Sequence, residues 1–247
     1  MKMKSFKLTK AIFPNAFTAG NLLSGFLSLA FAADGNFKLS ATLILIGAIF
    51  DATDGLVARL VKTSSPFGVE LDSLADIVTF GVAPGFLIYK TYLHQIHFWG
   101  ILIAALLPLF GAFRLARFNI QVEDINVKID FRGLPIPASA IIIASMVLSY
   151  FNETQFERTL VIIIIPTIVI LSLLMVSNVR YTSLSNIGKQ SRKIKLIYFI
   201  VFILLLLFGI FTLNEILLFA FGAFAIYGAL KELYFFVMPS KLKNNTK

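Results

Sequence analysis

The 247-residue chain contains no cysteine, a single tryptophan and two histidines. Disulfides, thiolate metal centres and thiol nucleophiles are excluded, while the absence says nothing about compartment. Charge is scarce as well, at 14% of residues, against about 25% in an ordinary soluble domain. No internal repeat, low-complexity tract or domain-separating linker breaks the chain. What is present is apolar: hydrophobic residues reach 58%, phenylalanine alone numbers 26, and the mean hydropathy is +0.86. Runs such as Val161–Ile170 and Ile200–Ile210 exceed the needs of a soluble core. They read as bilayer-spanning helices, because lipid offers backbone polar groups no partner outside their own segment. The net charge of +9 would suggest nucleic acid as the partner of a soluble protein. Here it reflects basic loops facing anionic lipid, and no nucleic acid is expected.

Eight spans are predicted, at 12–33, 39–61, 70–93, 98–118, 134–151, 159–177, 195–211 and 214–237. The expected fold is thus an all-α polytopic membrane helix bundle. One transmembrane domain covers 12–237, preceded by a basic leader at 1–11 and followed by a basic tail at 238–247. Met3, Phe6 and Leu8 among the leader's lysines suit either an amphipathic surface helix or a disordered segment. The first span has the look of a cleaved signal, but Pro14, Asn15, Thr18 and Asn21 interrupt its apolar core. Under this division, nineteen Lys and Arg fall on one side of the membrane and three (Lys38, Lys90 and Arg158) on the other. That asymmetry places both termini in the cytoplasm and requires an even number of spans. The very short turn at Asn214-Glu215 keeps a six-span count open.

The segment from Ile49 to Ala83 carries charge where a membrane protein should have none. Asp51, Asp54 and Arg59 lie in or at the end of span 2, and Asp72 and Asp76 lie in span 3. Four unpaired aspartates near helix centres would cost on the order of 10–14 kcal/mol, comparable to the net stability of a whole domain. On helices at 100° per residue, Asp51, Asp54, Gly55, Ala58 and Arg59 fall within an arc of about 140°. Gly68, Asp72 and Asp76, each four apart, stack along one face. Antiparallel packing would bring the four carboxylates together near the cytoplasmic end of the bundle. Such oxygen-rich clusters suit hard divalent cations such as Mg²⁺, usually shared with phosphate. Two alternatives are open at this point: intramembrane aspartates as proton or cation carriers, and Gly and Ala as plain packing contacts.

Written out, the segment is D-x2-D-G-x2-A-R-x8-G-x3-D-x3-D, from Asp51 to Asp76. It resembles the signature of the CDP-alcohol phosphotransferase family, with every fixed position present. Supporting segments are Pro14–Thr18, Phe80–Pro84, Phe113–Asn119 and Phe131–Pro137, so the likeness covers roughly residues 10–150. The resemblance implies a six-helix core with two additional C-terminal helices, a homodimer, a CDP-linked lipid donor and two divalent ions, Mg or Mn. It implies that Asp51, Asp54, Asp72 and Asp76 bind metal and that Asp76 is the general base. Gly55, Ala58 and Gly68 match the nucleotide pocket.

Arg59, Asn15 and Thr18 are further candidates for the diphosphate, with anchoring and helix-start roles as their plainer alternatives. The segments Phe113–Asn119 and Phe131–Pro137 resemble members that use L-serine as acceptor. They make Arg114, Arg117 and Arg132 candidates for the serine carboxylate, since a guanidinium fork suits that group. His94, His97 and Trp99 are expected at the far interface. Rival readings are another acceptor in the same family (glycerol phosphate or inositol phosphate), a membrane prenyltransferase, and a cation-coupled transporter.

Overall fold

The computed structural model describes residues 12–61, 65–123, 133–152, 155–156, 158–179, 181, 200–201, 203–204, 206–208 and 214–237. The leader, the tail, Arg132 and much of the expected seventh span lie outside the described residues. The helices are α1 (Ile12–Ala33), α2 (Phe37–Val61), α3 (Pro66–Asp76), α4 (Ala83–Thr91), α5 (His97–Glu123), α6 (Ile136–Tyr150), α7 (Arg158–Val176) and α8 (Asn214–Val237). A π-helical segment, Ile77–Val82, joins α3 to α4 without a break. A two-residue hairpin, β1 (Phe151–Asn152) with β2 (Gln155–Phe156), joins α6 to α7.

Among the described residues, four helices are long and apolar enough to cross a membrane: Ile12–Ala33, Phe37–Ala58, Pro66–Thr91 and Leu93–Ile120. The protein is therefore an all-α membrane bundle. The expected fifth span starts later than 134 because Gly133, at φ +85°, and Pro135 close the preceding loop. The 15 residues of α6 rise only about 22 Å, short of a hydrocarbon core of roughly 30 Å. Ile136–Tyr150 and Val161–Val176 are accordingly shorter apolar helices.

The bundle is apolar on its surface and in most of its core, with polar groups buried chiefly along one face of α1 and around the aspartates. α1 turns Pro14, Thr18, Asn21, Ser24, Gly25, Ser28 and Ala32 inward, while Phe13, Leu23 and Phe26 are exposed. Small residues let backbones approach where lipid provides no hydrophobic drive between helices. α6, mostly apolar, is buried from Ala138 to Val147, as befits a central helix. The hairpin closes one end of the bundle, where Phe37, Phe151 and Phe156 meet edge to face at 5.2 and 5.3 Å.

Two joints set the register of the site. The α1–α2 turn uses Gly35 at φ +83°, with Asn36 N–H bonded back to Phe31 O at 2.8 Å and Gly35 N–H to Ala32 O at 3.2 Å. This closes α1 in a left-handed cap that only glycine adopts without strain. Asn36 then accepts from Leu39 N–H and starts α2. At the other end, Ser65 caps α3 by accepting from Gly68 N–H at 3.0 Å, with Pro66 in the first turn. That cap, visible as Ser-Pro in the sequence, starts the span at Pro66 instead of the expected 70.

Candidate active site

Asp51 and Asp54 come from α2, and Asp72 and Asp76 from the antiparallel α3. At 1.5 Å per residue, Asp51 and Asp76 each lie about 15 Å along the helix from Val61 and Pro66, and Asp54 and Asp72 about 10 Å. The carboxylates thus form two levels one helical turn apart. One oxygen each from Asp51, Asp72 and Asp76 falls within 4.8 Å of the others. Asp54, outside that trio, is buried and accepts from the Thr18 hydroxyl at 2.9 Å. Asp72 Oδ1 is buried with no hydrogen-bond partner among the described residues. Converging carboxylate oxygens with an unmatched acceptor are the donor set a hard divalent cation requires.

Helix α1 supplies the groups that hold these carboxylates. Thr18 bonds Asp54 and also its own helix at Pro14 O. Asn21, fully buried, donates from Nδ2 to Asp76 Oδ1 at 3.1 Å. In the sequence, Asn21 reads as an interruption of an apolar run. Its signal was the spacing Asn15, Thr18, Asn21, three polar residues at successive steps of three on one helical face. Asn15 instead meets Gly68, where a Cβ would lie 3.2 Å from Asn15 Oδ1 and from Ser65 Oγ. Gly68 therefore packs α3 against the start of α1. Gly55 and Ala58 are half-buried on α2 beyond Asp54, and the Arg59 side chain lies outside what is described.

The three arginines part company. Arg114 on α5 is half-buried and close enough to Asp76 and Asp51 to interact electrostatically with both. Its Nε is buried and has no hydrogen-bond partner among the described residues. Arg117, one turn on, points elsewhere: Nη1 donates to Val176 O at 3.2 Å and Nη2 to Asn178 Oδ1 at 2.7 Å. It clasps the C-terminal end of α7, beside the Gly133 and Leu134 N–H groups that bond Val179 O and Leu174 O. The cluster is further braced by Asn119, whose Nδ2 donates to Ser73 Oγ at 3.0 Å and links α5 to α3. His97 and Trp99 lie at the opposite end of α5, with His94 in the short turn just before it, and Trp99 is 68% exposed.

Two buried aspartates, Asp54 and Asp76, and two half-buried ones, Asp51 and Asp72, are thus gathered on two consecutive helices of an apolar bundle. Comparison with known proteins gives the class. The family model for CDP-alcohol phosphatidyltransferase matches residues 11–170, and the chain belongs to that family. It is 37% identical over 239 residues to a CDP-diacylglycerol–serine O-phosphatidyltransferase of Helicobacter pylori, covering 95% of this chain and 97% of the relative. A protein of the same name in Methanocaldococcus jannaschii is 36% identical over 215 residues, 86% of this chain and 90% of the relative. An archaetidylserine synthase of Methanothermobacter thermautotrophicus is 34% identical over 194 residues, 76% of this chain and 78% of the relative. The likeness expected to end near residue 150 thus extends through the C-terminal apolar segments.

Proposed function

We propose that the protein transfers a phosphatidyl group from a CDP-linked lipid to the hydroxyl of L-serine, producing phosphatidylserine, or its archaeol counterpart, and CMP. The observation that carries this reading is the convergence of the Asp51, Asp72 and Asp76 carboxylates within 4.8 Å. The names of its relatives support serine as the acceptor. Asp51, Asp54, Asp72 and Asp76 would hold two divalent cations, Mg or Mn. When bound, these would neutralise the diphosphate and stabilise the charge on departing CMP.

The chain's own residues do the rest. Asp76 takes the proton from the serine hydroxyl as that oxygen attacks the phosphorus bearing the lipid. The bond from phosphorus to the CMP oxygen breaks, and CMP leaves with the bonding pair. Thr18 fixes the orientation of Asp54. Gly55 and Ala58 leave room for the cytidine, Gly68 lets Asn15 approach α3, and Asn15 and Arg59 lie toward the diphosphate. Arg114, facing the carboxylates with an unmatched N–H, receives the serine carboxylate. Arg117 is committed to α7.

The basic residues at both termini and in the loops support a multi-pass protein of about eight spans, with termini and site on the cytoplasmic side. Residues 12–237 form one catalytic domain, framed by the leader and tail, and two copies associate as a homodimer. The test is CMP release by the purified protein, given a CDP-lipid, Mg²⁺ or Mn²⁺, and one acceptor at a time. Release requiring both metal and serine is expected. Release with glycerol phosphate or inositol phosphate alone would discard serine, and silence with every acceptor would discard the chemistry.

A further inference from the structure

The π segment and the polar face of α1 meet directly beneath Asp76. Thr79, fully buried, donates from Oγ1 to the backbone oxygen of Asn21 at 2.9 Å. Asn21 in turn donates from Nδ2 to Asp76 Oδ1 at 3.1 Å. Two glycines make this approach possible. A Cβ on Gly25 of α1 would lie 2.8 Å from Thr79 Cα and would also strike Thr79 Oγ1. One on Gly47 of α2 would lie 2.5 Å from Thr79 Cγ2 and 3.1 Å from Asn21 Oδ1. Three helices thus converge on Thr79 and Asn21, leaving each side chain little room to turn. Asn21 Oδ1 is buried without a partner among the described residues, an arrangement that costs stability unless its other half is needed.

We infer that Asn21 is a positioning residue for the transfer reaction. Its amide N–H holds Asp76 by one carboxylate oxygen, Oδ1, and so fixes the direction of the carboxylate read as the base. The Thr79 hydroxyl, clamped between Gly25 and Gly47, holds Asn21 at that depth. The inference rests on the reading of Asp76 as the base. It leaves the identity of the acceptor open, because the hydrogen bond acts on the carboxylate and not on the substrate. Asn21 acts through Asp76, so its loss should fall on turnover and spare substrate binding.

The experiment compares wild type with Asn21→Leu, which keeps the size and removes both polar atoms, and Asn21→Asp, which keeps one oxygen and replaces the donor. Kinetics of CMP release are taken against CDP-lipid and against acceptor, together with CDP-lipid retention in the absence of acceptor and a thermal melt. The expected result is a kcat reduced ten- to a hundredfold in both variants. Both KM values and CDP-lipid retention should stay within about threefold, in protein that still melts cooperatively. Gly47→Ala, pressing on both Asn21 and Thr79, should lower kcat several-fold in the same pattern and serves if the Asn21 variants do not fold. Unchanged kcat in folded variants would overturn the inference, as would a rise in KM at constant kcat, which would make Asn21 a substrate contact. If wild type releases no CMP with serine but does so with another alcohol, the acceptor reading fails, and the same variants are assayed with that alcohol.

Discussion

Arg114 and Arg117 lie three residues apart in one short motif, and the different tasks proposed for them can be separated by a pair of substitutions. Arg117 makes two hydrogen bonds to the end of α7, at 3.2 and 2.7 Å. A hydrogen bond involving a charged group is worth about 1.5–3 kcal/mol when buried. The one to Asn178 is exposed, so the pair together contributes about 2 kcal/mol once solvent competition is counted. Arg117→Gln should therefore lower the melting temperature by about 4–8 °C, at 2–4 °C per kcal/mol for a chain of this size. Its serine KM should stay within about twofold of wild type, since the side chain touches no carboxylate of the cluster. Arg114→Gln removes one partner of a desolvated charge pair with the incoming carboxylate, a loss of about 2–5 kcal/mol. At 1.4 kcal/mol per decade, the serine KM should rise about thirtyfold at the least. The assay is CMP release against serine concentration, alongside a thermal melt of each variant. A raised serine KM in Arg117→Gln with unchanged melting, or an unaltered serine KM in Arg114→Gln, would refute the division of roles.

Asp76→Asn should reduce CMP release by about a thousandfold while CDP-lipid binding stays close to wild type; substantial turnover in this variant would remove Asp76 as the base. Thr18→Val preserves shape but deletes the donor to Asp54 Oδ2. Loss of a charge-assisted bond worth about 1.5–3 kcal/mol should raise the Mn²⁺ concentration for half-maximal activity about ten- to a hundredfold, and an unshifted Mn²⁺ titration would count against it. Gly25→Ala places a methyl 2.8 Å from Thr79 Cα, where backbone cannot give way as a side chain does. Overpacking of about 1–3 kcal/mol should appear as a lower melting temperature, and a melt equal to wild type would show that α1 and the π segment separate easily.

Much of this was legible before any coordinates. The helix over 12–33 and the last one over 214–237 coincide with α1 and α8, because long apolar runs between polar turns admit no other structure in lipid. The aspartates were legible for the same reason, since charge inside a span demands compensation. The sequence does not announce where a helix changes its hydrogen-bonding pattern, so the π segment after Asp76 was invisible. Nor does it distinguish a buried asparagine from one at a helix start, which is how Asn21 was passed over. Arg117 shows the limit of motif reasoning: a guanidinium near a site is as useful for closing the end of α7 as for binding substrate. The hairpin at 151–156 escaped because two strands of two residues leave no alternation to read.

A π segment is a helix carrying one residue more than its rise requires. Deleting a residue elsewhere in Pro66–Thr91 would turn everything beyond it by about 100° and draw it in by about 1.5 Å. Between Ile77 and Val82 the same deletion would only convert the wide turn to an ordinary one, leaving Asp72 and Asp76 in register with Gly85 and its seat against Ala104 O. Chain length is slack there and nowhere else along this span. The slack sits one residue past the carboxylate proposed to move the proton, so a residue can be lost there without turning the catalytic face or rebuilding the bundle around it.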